Sequence, residues 1–190
     1  MPEDGAADSR RPRRRMLDAA LELASQGGYD ALQVRALSQR AGVSSRTIYE
    51  QFPSLDSLLI VAVAEQSEGL YQQVTAAPKG RTPGARVVSV IGELTETMTA
   101  NRAITVALLR ALLSGKPDVA QYVDGFRVVL QAILANAIAP KGATKRDREI
   151  AELLESIWFT ALVGWAIGAD SDAHIGEIMK RSVRFLLPSA

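Results

Sequence analysis

The chain has no cysteine and a single histidine, His174. Without thiols there are no disulfides and no thiolate nucleophile, and histidine-dependent catalysis or a zinc site would rest on one residue. Aromatic residues are only 5% of the chain, and no apolar run approaches the ~20 residues needed to span a bilayer. The N-terminus is polar and arginine-rich with no apolar segment behind it, so no signal peptide is expected. Strand patterning is nearly absent, because apolar residues recur at helical rather than alternating spacing. A glycine-rich phosphate loop, a G-x-S-x-G elbow and metal-ligand spacings are all missing. Glu149, Glu152 and Glu155 lie at helical spacing, but beside Lys145, Arg146 and Arg148 they read as a solvated helix start. The expectation is an all-α, cytoplasmic, non-enzymatic protein without cofactor or metal.

What is present is a core and an uneven charge. Hydrophobic residues are 47% of 190, enough for one large domain or a small one joined to a larger. The net charge of +1 conceals a basic head: residues 10–49 hold eight arginines against Asp18, Glu22 and Asp30, a balance of +5. From Glu50 onward, 14 basic residues face 15 acidic ones. A polyanion partner for the head and a solvated arginine-rich tail both fit this charge.

Glycine, proline and serine punctuate the helices. Leu17, Ala20, Leu21 and Ala24 form one face of a helix that Gly27 and Gly28 end. A short helix with Val34, Leu37 and Ala41 stops at Gly42, and Ser44 stands at the N-cap of the next. That third helix breaks at Pro53. Leu55, Leu58, Leu59 and Ala62 open a long helix reaching to about Ala77, followed by the loop APKGRTPG. Further helices are expected over residues 87–99, 103–113, 119–138, 148–168 and 175–187. Residues 1–9 are expected as a disordered tail, 10–55 as a helix-turn-helix domain and 56–190 as a larger helical domain.

The stretch VSSRTIYEQF, residues 43–52, carries the chemistry. Val43, Ile48 and Phe52 lie along one side, with hydrogen-bonding side chains crowded between them. A helix laid in a major groove is short, polar outward and anchored by a few apolar residues behind. Ser45 and Arg46 fall in the first turn, where base edges are reached, while Thr47, Tyr49 and Gln51 suit phosphate oxygens.

The segment LQVRALSQRAGVSSRTIYEQFPSLDSLL resembles the DNA-binding domain of TetR-family transcriptional regulators. The A-G-V-S turn, T-I-Y and then Phe-Pro-Ser before a long apolar helix are more specific than a bare helix-turn-helix. Less closely, LDAALELASQGGYDALQVRAL and SIWFTALVGW are similar to the actinobacterial branch that contains the cholesterol-catabolism repressor. The resemblance implies a homodimer on a palindromic operator, with a small-molecule pocket in the larger part. It places Arg35, Ser45 and Arg46 toward bases and Thr47, Tyr49 and Gln51 toward phosphates, with Ser44 at the helix start. Leu55 departs from the family's usual lysine, removing a backbone contact that the arginines of residues 10–15 are placed to replace. Those arginines fit either a minor-groove arm or a weakly interacting tail.

Met98, Leu108, Leu112, Tyr122, Phe126, Trp158, Phe159, Leu162 and Trp165 fit either a ligand cavity or plain core packing. Few charges are expected on those inner faces, so a lipid-like, acyl-CoA or steroid effector suits them. Ala161, Gly164 and Gly168, extended by Ile157, form a small-residue stripe that suits close packing within a subunit or against a second copy. With Ile175, Ile178, Met179 and Val183 it gives an expected dimer interface. The expected function is a ligand-released repressor; the competing one is a helical DNA-binding or protein-interaction module without an effector.

Overall fold

The computed structural model describes residues 4–76 and 78–187, with the side chains of residues 4–10 outside that description. Among the described residues all regular structure is helical: α1 (Asp4–Ala31), α2 (Val34–Ala41), α3 (Ser45–Gln51), α4 (Leu55–Ala76), α5 (Pro83–Ala100), α6 (Arg102–Leu112), α7 (Pro117–Ile138), α8 (Lys145–Ala166) and α9 (Asp172–Leu186). The expected all-α architecture is what the chain adopts. Within α1 the backbone leaves helical geometry at Gly27 and at Gly28, whose φ of +64° favours glycine, so the helix breaks where the sequence predicts. Of the tail expected over residues 1–9, residues 1–3 lie outside the described residues. From Asp4 the backbone is already helical, consistent with the helix preference of Ala6, Ala7 and the arginines that follow.

The chain forms two compact units, Met1–Ser67 with Ala103–Val123, and Glu68–Arg102 with Asp124–Ala190. The expected boundary at residues 55 and 56 therefore falls inside the first unit. Leu58, Leu59 and Ala62 of α4 are buried there, together with Leu17, Ala20, Leu37, Ile48 and Phe52. Ser54 and Ser57 begin α4 with a reciprocal cap, each hydroxyl accepting the other residue's backbone N–H at 3.1 Å.

The same unit includes the corner between α6 and α7. Asp56, fully buried in the first turn of α4, accepts the Tyr29 hydroxyl on one oxygen and lies 2.6 Å from Lys116 Nζ through the other. Ser54 Oγ donates to Asp118 at 2.6 Å. Arg110 pairs with Asp30 at 2.8 Å, and its guanidinium stands 4.3 Å from the Tyr29 ring centre.

In the second unit, α9 packs on α8 and α5. Ile175, Met179 and Val183 form the buried face of α9, and Leu154, Trp158, Leu162 and Trp165 that of α8. Arginines close two helix ends. Arg86 donates to the carbonyls of Ala137 and Ile138 at 2.7 and 2.9 Å. Arg102 donates to those of Trp165 and Ala166 and stacks 4.6 Å above the Trp165 ring. A cation at a helix C-terminus satisfies orphan carbonyls and complements the helix dipole.

The Asp56 cluster sets an alkaline limit on stability. Its hydrogen bond to Asp56 raises the Lys116 pKa above the ordinary lysine value, while burial and then Asp56 raise that of Tyr29. Groups with a raised folded pKa stabilise the fold below their unfolded pKa and stop doing so as pH rises through the folded value. Urea midpoints should therefore fall as pH climbs past about 10, where free tyrosine and lysine titrate. Lys116→Met should lower the midpoint at pH 8 and flatten the alkaline decline.

Candidate nucleic-acid interface

The α2–α3 pair is built from its turn outward. Gly42 ends α2 with φ +64° and ψ +42°, the left-handed geometry that closes a helix C-terminus. Ser44 then caps α3, its Oγ accepting Thr47 N–H at 3.0 Å. Behind α3, Ile48 and Phe52 are buried; in front, Ser45, Arg46, Tyr49 and Gln51 are exposed. Arg35 on α2 is exposed as well.

Each expected DNA-facing residue can now be placed. The Arg46 side chain is 88% exposed, and its Nε donates to Glu50 at 2.8 Å. That bond leaves both terminal nitrogens of the guanidinium free. An exposed i, i+4 ion pair is worth roughly 0.3–0.5 kcal/mol, against about 1–3 kcal/mol of discrimination from a bidentate guanine contact, so Glu50 orients Arg46 without withholding it. Tyr49 is 54% exposed and presents its hydroxyl. Ser44 and Thr47 are partly committed, because their hydroxyls lie 2.9 Å apart across the cap and Thr47 is half-buried. Their part is to hold the first turn, with what capacity remains left for phosphate. Ser45 Oγ is 3.3 Å from Ser38 Oγ, which joins the two helices.

The basic residues ahead of Met16 divide. Arg13 bonds Glu65 at 2.6 Å and its guanidinium stands 5.7 Å from the Phe52 ring centre, so it braces α1 against α4 and the end of α3. Arg14 pairs with Asp18 at 2.9 Å. Arg40 pairs with Glu22. Arg11 and Arg15 are exposed and have no carboxylate partner among the described residues. A Cβ at Gly42 would lie 3.8 Å from Arg15 Nη1, which puts that guanidinium beside the turn. The Arg10 side chain lies outside the described residues. The Arg46–Glu50 pair was readable from its i, i+4 spacing, but Arg13–Glu65 spans 52 residues and leaves no local signal.

The expected ligand-lining residues fall in both units. In the first, Leu108 and Leu112 are buried and Tyr122 is half-buried; in the second, Met98, Trp158, Leu162 and Trp165 are buried and Phe126 and Phe159 half-buried. Both indole N–H groups are satisfied, Trp158 by Thr95 Oγ1 at 2.8 Å and Trp165 by Asp172. The expected absence of charge on inner faces needs correction. Glu155 is 2% exposed, and Arg127 and Gln131 both donate to it at 3.3 Å. It belongs to the helix interior, whereas Glu149 and Glu152 are exposed as expected.

The expected dimer residues also need correction. Ala161, Ile175, Met179 and Val183 are buried inside the subunit, where they pack its own core. Gly164 is small for a local reason: a Cβ there would collide with the Asp170 carboxylate. Gly168, with φ +80°, belongs to the turn that ends α8. Ile157 and Ile178 remain half-buried, and Leu153 and Phe185 are 52% and 79% exposed.

Residues 16–62 match the family described as bacterial regulatory proteins, tetR family, and residues 80–186 match the tetracyclin repressor-like C-terminal domain. The chain belongs to the TetR family of transcriptional regulators. It is 32% identical over 186 residues to the HTH-type transcriptional repressor KstR of Mycolicibacterium smegmatis, covering 97% of this chain and 91% of that one. The KstR of Mycobacterium tuberculosis is 31% identical over 186 residues, covering 97% and 84%. In fold it is similar to a TetR transcriptional regulator from Rhodococcus, with TM-score 0.81 and 24% identity over 94% and 96% of the two chains. It is similar also to Thermus thermophilus FadR, solved with lauroyl-CoA, with TM-score 0.76 and 21% identity over 92% and 93%. Family and relatives are transcriptional regulators rather than enzymes, and no described helix is long and apolar enough to cross a membrane.

For this regulator, Arg46→Ala and Tyr49→Phe should separate base reading from phosphate contact. Arg46→Ala should cost about 1–3 kcal/mol at one base pair and relax preference there. Tyr49→Phe should weaken binding to all sequences alike, since phosphates carry no sequence information. Anisotropy titrations against operator and single-substituted duplexes, at fixed salt, distinguish the two patterns.

Proposed function

We propose that this chain is a dimeric repressor that occupies a near-palindromic operator and leaves it when a bulky, largely apolar small molecule binds its C-terminal part. The observation that carries the DNA half is the exposed Arg46–Tyr49 face of α3, held from behind by Ile48 and Phe52. The relatives' name, transcriptional repressor, supports repression over activation. Equal affinity for operator and scrambled duplex at physiological salt would overturn this half, because it would leave only the salt-dependent backbone attraction.

The dimer uses the apolar surface that the subunit leaves open. Leu153 and Ile157 lie one turn apart on α8, and Ile178 and Phe185 lie two turns apart on α9, so each pair shares a helix face. Phe185→Glu puts a charge on this face without touching the buried Met179 and Val183. It should yield a folded monomer at micromolar concentration by sedimentation, with operator affinity lost along with the second head. A stable dimer of that variant would reject the surface.

The effector class follows from the second unit. Trp158, Trp165, Phe126 and Phe159 supply large rigid apolar area, and the indole hydrogen bonds fix the two tryptophans in place. Two proteins of this fold support the class: Thermus thermophilus FadR is in complex with lauroyl-CoA and Bacillus subtilis FadR with stearoyl-CoA. A ligand acts only through unequal affinity for two conformations, so effector and operator must weaken each other by one factor, typically about 5–150-fold. Trp158 and Trp165 are the only tryptophans in the chain. Titration with acyl-CoA, fatty-acid and steroid compounds should change tryptophan emission and release operator in parallel. Tight binding that leaves operator affinity unchanged would reject the switch.

A further inference from the structure

The cluster around Asp56 does more than a helix-turn-helix core requires. The buried set of Leu17, Ala20, Leu37, Ile48 and Phe52 is apolar and involves neither Lys116 nor Asp118. A buried carboxylate is costly unless it is paired, and well-packed apolar residues often serve stability as well. Here Asp56 is entirely buried and answered by Tyr29 and Lys116, while Ser54 binds Asp118 and Arg110 binds Asp30. The ties join three places in the chain: the end of α1, the start of α4 just after the recognition helix, and the corner between α6 and α7.

Chain connectivity gives this knot its meaning. α4 and α7 each begin in the first unit and continue in the second, which takes over at Glu68 and at Asp124. Asp56 lies in the first turn of α4; Lys116 immediately precedes α7 and Asp118 lies in its first turn. The two helices that run on into the effector-binding unit are therefore fastened to each other, and to the DNA head, by their first turns. The outer partners are hydrated, with Lys116, Arg110 and Asp30 side chains 49%, 57% and 84% exposed. They can exchange one another for water at small cost. Asp56 cannot, because losing Lys116 leaves a carboxylate with its remaining partner in a dry site. Such a contact favours discrete closed and open arrangements over gradual loosening.

We propose that the Tyr29–Asp56–Lys116 cluster, with Ser54–Asp118 and Arg110–Asp30, is the coupling joint of this regulator, through which the operator-bound head and the second unit sense each other. Lys116 is its positioning residue: it touches neither DNA nor effector and acts by holding the start of α4. The inference rests on the effector-release reading, but operator binding alone can test it, because coupling between two sites is reciprocal.

The test is hydrogen exchange on the full-length dimer, with and without a saturating operator duplex selected from a random pool. In the wild-type chain, operator should slow exchange in α3 by contact and also change exchange in residues 124–138. In Lys116→Met the α3 protection should persist at saturation while the change in residues 124–138 disappears, and Lys116→Arg should restore it. Arg110→Gln, which leaves the buried carboxylate paired, should give a partial loss and covers the case in which Lys116→Met does not fold. A change in residues 124–138 as large in Lys116→Met and Arg110→Gln as in wild type overturns the joint, as does a wild-type chain that shows none. A second arm uses lauroyl-CoA as probe. Lys116→Met should keep the wild-type change in tryptophan emission while the ratio of operator affinities with and without lauroyl-CoA falls to within about twofold. If no acyl-CoA, fatty acid or steroid releases wild-type protein although the exchange result holds, the effector reading fails and the joint stands.

Discussion

Seven residues of α-helix do not hold together in water, since nucleation is costly and isolated helices need roughly 12–15 residues even to be marginal. Everything around α3 answers that constraint. Ser44 satisfies a backbone donor at its start, Gly42 sets the turn that delivers it, and Ile48 and Phe52 bury its rear. Arg13 reaches across from α1 to the Phe52 ring and to Glu65 of α4. Because the rear face and both ends provide the stability, the outward side chains are free of structural duty. That freedom lets Ser45, Arg46, Tyr49 and Gln51 be polar on so short a helix.

The arginine-rich composition of the head looks like one electrostatic feature and is really several. Arg13, Arg14 and Arg40 are engaged with carboxylates, so their charge serves the fold as much as any partner. Arg46 is paired too, but with a neighbour on its own helix and in full contact with water, where such a bond is weak. Arg11, Arg15 and Arg35 carry the unpaired excess. Steering toward a polyanion depends on the sum, whereas sequence reading depends on the few guanidinium groups whose forks remain open.

How much of this could be read beforehand follows from which forces are local. Helix ends at Gly27, Gly28, Gly42 and Ser44 were legible because capping and positive φ are set within four residues of chain. The face of α3 was legible for the same reason. The assignments that failed involved choosing among partners distant in sequence. Ile175, Met179 and Val183 announce an apolar face of α9, but periodicity does not say whether α5 and α8 or a second chain covers it. Gly164 and Gly168 looked like one packing stripe, yet the first makes room for Asp170 and the second turns the chain. Glu155 sat at the same spacing as two solvated glutamates, and only the positions of Arg127 and Gln131 on α7 mark it as interior. The Asp56 cluster had no local signature at all, since its members are separated by tens of residues.

Glu155 and Asp56 are the informative pair among the buried polar groups, for each ties α7 to another helix. Asp56 meets Lys116 at the start of α7, and Glu155 meets Arg127 and Gln131 farther along it. Ion pairs of this kind are poor sources of stability but are unforgiving of partial displacement, because the intermediate geometry leaves a desolvated charge unanswered. An apolar contact at the same places would slide. α7 is therefore held to α4 at one point and to α8 at another by contacts that are either made or broken, with a continuous helix between them. A helix fixed in that manner transmits a shift at one end as a rigid displacement at the other, which a chain of interdigitated leucines alone would tend to absorb.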